Sequence, residues 1–309
     1  MNILVTGGSG YVGSALIEEL AGHQVVNVDV GMFGSHPARS TNMEVDFRKL
    51  SIDELGLFDT IIHLAGLSND PMAHWSPNIN FRMNAADTVD LAYKAKRAGV
   101  KRFIFASSAS VYQGITSNER ATPWNVGLSP DEPYAISKLM AERGIWCLMD
   151  GSFAVVILRK GTIGGFSTRM RYDLVLNTMF KFAMDTGSIK VFVDRNGRSV
   201  MRPHLSIRDA VQAYLRALSL APGTYNVLTR NLNIIDLAEA VAEKTGAKVE
   251  RVEVTDSTLL RDYVMLDSEI IKSRESLSYT LNGMVESAPR DFDNPNYYNI
   301  EVWKKWVNQ

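Results

Sequence analysis

A tyrosine and a lysine stand four positions apart in Pro133-Tyr134-Ala135-Ile136-Ser137-Lys138, and no other tyrosine in the chain has a lysine at that spacing after it. On a helix the two side chains share a face, so the ammonium can stabilise the phenolate and lower the tyrosine pKa. Chance supplies such a pair in many chains of this length, and an exposed helix face accounts for it equally well. Its weight comes from the serine cluster Ala106-Ser107-Ser108-Ala109-Ser110-Val111-Tyr112, which ends an apolar run that reads as a strand. Open parallel sheets place their ligands at the carboxyl ends of strands.

A second constellation lies at the N-terminus, where Thr6-Gly7-Gly8-Ser9-Gly10-Tyr11-Val12-Gly13 joins a β-branched run to a helical pattern without a gap. Gly7, Gly10 and Gly13 let the backbone turn sharply and come close to a pyrophosphate, while the free N–H groups at Tyr11 and Val12 and the positive helix end face its charge. Asp29 ends the second strand, where a carboxylate accepts hydrogen bonds from ribose hydroxyls and repels a 2′-phosphate, which favours NAD over NADP. Asp46-Phe47 is placed to hold the adenine edge. Leu64-Ala65-Gly66 lets the chain pass close beneath the cofactor, whereas the adjacent His63 reads as a satisfied core histidine. Ser68-Asn69-Asp70 is either a contact to the substrate or a plain turn.

These residues need a scaffold, and the first half of the chain supplies one by alternating short β-branched runs with longer helical patterns. Asn2 to Val5, Val25 to Val28, Ile61 to Leu64, Phe103 to Ala106 and Val155 to Leu158 read as buried strands. Ser14 to Leu20, Asn84 to Ala98 and Ile136 to Met149 read as helices. The expected class is α/β, a doubly wound parallel (Rossmann) sheet with a smaller C-terminal substrate-binding lobe. Residues 1–162 and about 205–230 form the first part, and about 163–204 and 231–309 the second. The lobe begins at the glycine- and arginine-containing stretch Gly161 to Arg171, followed by a helix over Asp173 to Met184. The aromatic stretch Tyr297 to Trp306 reads as an amphipathic helix docked on its own core.

The bulk properties exclude several classes. In 309 residues with 46% hydrophobic and 22% charged, a formal net charge of −1 gives no global pull toward nucleic acid or an anionic membrane. Anionic ligands must therefore be held by local donors. Cys147 is the only cysteine, which fits a reducing, cytoplasmic setting and a small buried apolar residue. The first residues lack a basic n-region, and no apolar run approaches membrane-spanning length. The five histidines are scattered without metal-ligand spacing, so no metal is expected.

Taken together, Thr6 to Gly13, Asp29, Asp46, His63 to Gly66, Ser107 to Tyr112, Tyr134 to Lys138, Leu158-Arg159, Arg202 to Asp209 and Arg261 to Asp267 resemble the extended short-chain dehydrogenases/reductases, the family of nucleotide-sugar epimerases and dehydratases. By matching position, the resemblance implies that Ser108 binds the substrate oxygen, that Tyr134 is the acid/base, and that Lys138 binds the nicotinamide ribose while tuning Tyr134. Asn84 matches a helical asparagine near the active site, although the glycine usual after it is Asp87. A nucleotide-diphosphate sugar is the implied substrate, with Arg202 and Arg261 gripping its phosphates through paired, charge-assisted bonds. Arg169, Arg171, Ser110 and Thr162 are further candidate contacts, and a homodimer through the helices near Asn84 to Ala98 and Tyr134 to Met149 is implied.

The implied chemistry is proton removal by Tyr134 with hydride loss from the same carbon, giving a keto-sugar, and hydride return to the opposite face would yield the epimer. The sequence departs from the family at Thr162 for asparagine, Gly164 for tyrosine and Gln113 for glycine. Ala109 and Ser110 stand where 4,6-dehydratases carry an Asp-Glu pair, which argues against 4,6-dehydration. The expectation is therefore a C4 epimerase, with a dehydratase or a reductase/dehydrogenase as the alternative. A silent NAD-binding regulator would have lost Tyr134 or Lys138, and both are present.

Overall fold

β-Branched and aromatic residues that are buried on both faces make strands of a covered parallel sheet, and the first half of the chain is built this way. The computed structural model describes residues 1–34, 36–113, 115, 120–126, 132–256, 260, 262–266, 268–271 and 274–307. Strands β1 (Asn2–Thr6), β2 (Gln24–Asp29), β3 (Thr41–Glu44), β4 (Thr60–His63) and β5 (Arg102–Ser108) are interleaved with helices α1 (Tyr11–Glu19), α2 (Ile52–Leu55), α3 (Asp70–Trp75), α4 (Pro77–Phe81) and α5 (Asp87–Arg97). Then come β6 (Arg120–Ala121), α6 (Pro133–Trp146), β7 (Ala154–Lys160), β8 (Thr162–Gly164), α7 (Val175–Thr186), β9 (Ser188–Val193), β10 (Met201–Ser206), α8 (Ile207–Ala217) and β11 (Gly223–Val227). The chain ends with β12 (Arg230–Asn233), α9 (Ile234–Thr245), β13 (Lys248–Glu253), β14 (Val264–Met265), α10 (Leu277–Ser287) and α11 (Asn299–Val307).

Seven strands form one parallel sheet in the order β11-β7-β5-β4-β1-β2-β3. Side-chain alternation divides its core in two. Ile3, Val5, Ile62, Ile104, Val156 and Leu158 face α1, α7 and α8 through Leu16, Phe180 and Tyr214. Leu4, Ile61, Phe103, Phe105, Val155 and Ile157 face α5 and α6 through Leu91, Ala141 and Ile145. The strand order reverses at β1, between β2 and β4, so a crevice opens at the carboxyl ends of these strands. Smaller sheets, β12-β10-β8 and β13-β9, lie with α7, α9 and α10 beyond this crevice.

Three expectations change. The helix expected from Asn84 instead begins with a π-helical turn, Arg82–Ala86, before α5. The C-terminal helix does not complete the smaller lobe; Trp303 packs with Leu4, Val28 and Phe103 on the first sheet, and its indole N–H donates to Ser76 Oγ at 3.2 Å. Cys147 is exposed. Ile145 points into the core, and two residues further on the helix has turned by roughly 200°, which puts the thiol outside. Among the described residues no helix is long and apolar enough to cross a membrane, and no group of three His, Cys, Asp or Glu side chains could hold a metal ion.

Candidate active site and dinucleotide cleft

The glycine loop lies directly on the segment after β4. Gly7 has φ +75°, and a Cβ there would stand 2.7 Å from the Ala65 nitrogen, so only glycine lets the two segments meet. Gly10 is the N-cap of α1 and supplies no side-chain acceptor, which leaves the first N–H groups of the helix for a ligand. Asp29 is 8% exposed and accepts from the Ser9 N–H at 3.1 Å and the Gly31 N–H at 3.0 Å. Burial pushes its pKa up while those two N–H bonds oppose it. The carboxylate lines the cleft beside Gly7, Gly10, Tyr11, Val12, Gly13, Leu64, Ala65 and Gly66. Asp29→Ser is expected to weaken NAD binding roughly 10- to 100-fold, the loss of charge-assisted ribose bonds, and to raise NADP affinity. Titration of both dinucleotides checks this, and an unchanged ratio between them would remove Asp29 from cofactor selection.

Asp46 and Phe47 also line the cleft, but the Asp46 carboxylate is bound by Arg48, with Nη2 to Oδ2 at 2.5 Å and Nε to Oδ1 at 3.0 Å. Against the cost of burial, Arg48 holds that carboxyl below the usual range. An adenine contact by this carboxylate would therefore share it with Arg48. Asn84 is fully buried behind the cleft, donating to Leu67 O at 2.9 Å and Asn80 Oδ1 at 2.8 Å. It fixes the Gly66-Leu67 turn and does not line the cleft. His63 bonds Thr6 Oγ1 at 2.6 Å and Thr88 Oγ1 at 3.0 Å, and burial pushes its pKa down to about 3. It is a neutral core histidine.

Tyr134, Lys138 and Ser108 converge on the cleft from two elements, the first turn of α6 and the end of β5. Ser108 Oγ accepts from the Ser110 N–H at 3.1 Å and shares a hydrogen bond with Tyr134. The Lys138 ammonium lies 5.9 Å from the Tyr134 ring centroid and 4.9 Å from that of Phe105. The expected lowering of the tyrosine pKa is not what the protein does by itself. Burial dominates, Asp70 adds to it, and Tyr134 is pushed up to about 12 despite Arg171 and Ser108. Burial pushes Lys138 down to about 8, with Glu142 opposing.

Lys160 was not expected in the site. It pairs in register with Ser108 at the ends of β7 and β5 and lines the cleft. Burial, then the positive charges of Lys138 and Arg171, push it down to about 7. Strand alternation could have found it: Arg159 points to α6, so its neighbour points to the opposite side.

The candidate substrate contacts are distributed unevenly. Ser68, Asn69, Ser110, Thr162 and Arg171 line the cleft. Arg171 is paired with Asp173 at 2.6 Å, and Asn69 donates to Asp173 at 3.0 Å while capping α3. Ser68 Oγ accepts from Asn299 at 2.7 Å, which ties this turn to α11. Arg202 lies behind the cleft wall, 4.8 Å from the ring centroid of Tyr263, and Tyr263 is the residue that reaches the cleft. Arg169 does not line the cleft; it lies under the Phe33 ring, within electrostatic reach of Arg171, Asp173 and Asp29. Arg261 lies outside the described residues. Trp303 and Trp306 line the dinucleotide part, which no pattern in the first half of the chain foretold.

The cleft encloses about 440 Å³, within the range of small-molecule sites. A glycine cradle that Cβ atoms would fill, an uncapped helix N-terminus and a carboxylate at the end of β2 fit NAD: Gly7 to Gly13 would hold its pyrophosphate and Asp29 its ribose.

Residues 3–227 match the NAD dependent epimerase/dehydratase family. A relative, UDP-glucose 4-epimerase 4 of Oryza sativa subsp. japonica, is 27% identical over 296 residues, covering 81% of this chain and 78% of its own. The solved structure of MoeE5 in complex with UDP-glucose and NAD has a TM-score of 0.79 at 24% identity, over 93% of this chain and 98% of that one. That of TunA, an NAD dependent NDP-hexosamine 5,6-dehydratase, has a TM-score of 0.79 at 20% identity, over 93% of this chain and 97% of its own. At these identities the two structures speak for the fold alone. The chain belongs to the NAD dependent epimerase/dehydratase family, as an extended short-chain dehydrogenase/reductase whose cofactor is NAD.

Proposed function

We propose that the protein is a nucleotide-sugar epimerase acting at C4 of a sugar carried on a nucleotide diphosphate. The observation that carries this reading is the meeting of Tyr134, Ser108 and Lys138 at the carboxyl end of β5, with Ala109 and Ser110 following the serine. Tyr134 takes a proton from the sugar hydroxyl and later returns it. Ser108 orients the hydroxyl oxygen through a hydrogen bond, and Lys138 places positive charge beside the phenol. Bound NAD supplies reversible hydride acceptance, so that the alcohol passes through a ketone with no net redox change. The relative's name, UDP-glucose 4-epimerase, supports this choice.

A dehydratase is the second reading, and two cleft residues favour it. Elimination needs a base for a carbon-bound proton and an acid for the departing hydroxyl, and Lys160 and Asp70 both line the cleft near Tyr134. Incubation with UDP-, GDP-, dTDP- and CDP-sugars in D₂O, followed by NMR, separates the two. Epimerisation gives a C4-inverted sugar without solvent deuterium on carbon and without accumulated reduced nicotinamide. Deuterium incorporation with water loss would replace the epimerase with a dehydratase. A homodimer through α5 and α6 belongs to the same proposal, and the exposed Tyr93 and Met140 on these helices suit it.

A further inference from the structure

Arg169 lies between β8 and α7 and is 6% exposed. Its Nη2 donates to Asn296 O at 2.9 Å, while Nε and Nη1 are buried without a hydrogen-bond partner. A guanidinium removed from water needs a counter-charge and acceptors for its N–H groups. The two nearby carboxylates are already engaged: Asp173 pairs with Arg171, and Asp29 accepts from Ser9 and Gly31. Both carboxylates act on Arg169 through charge alone, and its Nε and Nη1 keep their hydrogens without an acceptor.

The position of this cation relates it to the cofactor. Ser167, two residues earlier, bonds Ser14 Oγ at 2.9 Å and Tyr11 O at 2.8 Å, which fastens the Arg169 segment to the first turn of α1. That turn carries the uncapped N–H groups under Gly10. The guanidinium lies 3.6 Å from the ring centroid of Phe33, and Phe33 lines the cleft. Phe33 stands in a turn closed by the Gly34 N–H to Gly31 O bond at 2.9 Å, with both glycines in the left-handed region. Rotation of this ring would uncover the guanidinium.

We infer that Arg169 is the cationic arm of the cofactor pyrophosphate site, supplying a full charge and two unpaired N–H donors, Nε and Nη1, that the neutral glycine loop lacks, with Phe33 shielding it until the dinucleotide enters. Nε–H and Nη1–H leave the rigid guanidinium plane by different edges, so each can meet a separate phosphate oxygen. The inference does not depend on which sugar is turned over. Because the arm comes from the segment that leads into the sugar-binding side, it also ties the two halves of the cleft together through the dinucleotide.

The test compares binding of NAD, NADP, ADP-ribose and adenosine to the full chain and to Arg169→Met by calorimetry, with thermal unfolding of the ligand-free protein alongside. The expected result is a roughly 10- to 100-fold loss for NAD and ADP-ribose, no change for adenosine, a flatter salt dependence, and an unfolding temperature that holds or rises because an uncompensated buried charge is gone. Arg169→Lys, which keeps the charge without the fork, should fall between the two and serves alone if the methionine variant does not fold. Equal ADP-ribose affinity in the variants overturns the inference, as does an equal loss for adenosine with lowered stability, which is a packing role. A loss seen only with NADP would assign the arginine to a 2′-phosphate instead. Absence of NAD binding by the unmodified protein would overturn the cofactor reading itself and take this inference with it.

Discussion

Tyr134→Phe is expected to lower turnover by roughly 10²- to 10⁴-fold, the usual contribution of a positioned acid/base, while NAD affinity stays within about twofold. The hydroxyl is the only part removed, and the ring keeps its place among Ser108, Lys138 and the α6 backbone. Losing the buried hydrogen bond to Ser108 should cost about 1 kcal/mol of stability, too little to unfold the protein. The pH dependence follows from direction. Tyr134 is raised to about 12, so it is protonated across the neutral range and becomes a base only as pH climbs or as positive charge comes to face it. Lys138, lowered to about 8, loses its charge as pH rises through that value. The rate of sugar oxidation should therefore rise with pH and flatten where Lys138 deprotonates, and oxidised nicotinamide, being cationic, should move the rising limb to lower pH. Retained turnover in the phenylalanine variant, measured by NMR of the sugar, would take the proton-transfer role away from Tyr134.

Much of the scaffold was legible because local pattern and tertiary placement agree. The runs at Ile3, Ile61, Phe103 and Val155 are apolar on both faces, which only a sheet covered on both sides accommodates. The glycine loop was readable because steric need at Gly7 leaves one residue type. What stayed hidden depends on contacts between distant segments. Arg169 and Arg171 are two positions apart, yet one is buried under Phe33 and the other is paired with Asp173 in the cleft, and no local spacing distinguishes them. Nothing in the sequence around Asp46 shows that its carboxylate pairs with Arg48, two residues on. Trp303 reads as an amphipathic-helix residue in sequence, but only the folded chain reveals that its helix closes the dinucleotide cleft.

The meeting of Tyr134, Ser108 and Lys138 also rests on an ion pair that does not line the cleft, and Glu142→Ala is expected to destabilise the protein by about 3–5 kcal/mol. Arg159 and Glu142 are 2% and 3% exposed at the side chain, joined at 2.5 Å and 2.9 Å, with Ser107 donating to the same carboxylate. The remaining guanidinium edge reaches Tyr112 Oη at 3.0 Å and Pro123 O at 3.2 Å. Thus one carboxylate on α6 joins the carboxyl ends of β5 and β7, one residue away from both Ser108 and Lys160. Alanine at this position leaves Arg159 charged and uncompensated, which costs far more than the net worth of the pair. Replacing both partners at once, Glu142→Leu with Arg159→Met, should recover most of the stability, because the desolvation cost then disappears with the charges. Urea unfolding of the single and double variants checks this. Activity gives an independent readout: Glu142 opposes the burial that lowers Lys138, so the stable double variant should lose Lys138 protonation at lower pH and show an earlier plateau. A single variant as stable as the unmodified protein would mean that water reaches Arg159, and the ion pair would no longer explain how Ser108 and Tyr134 are held together.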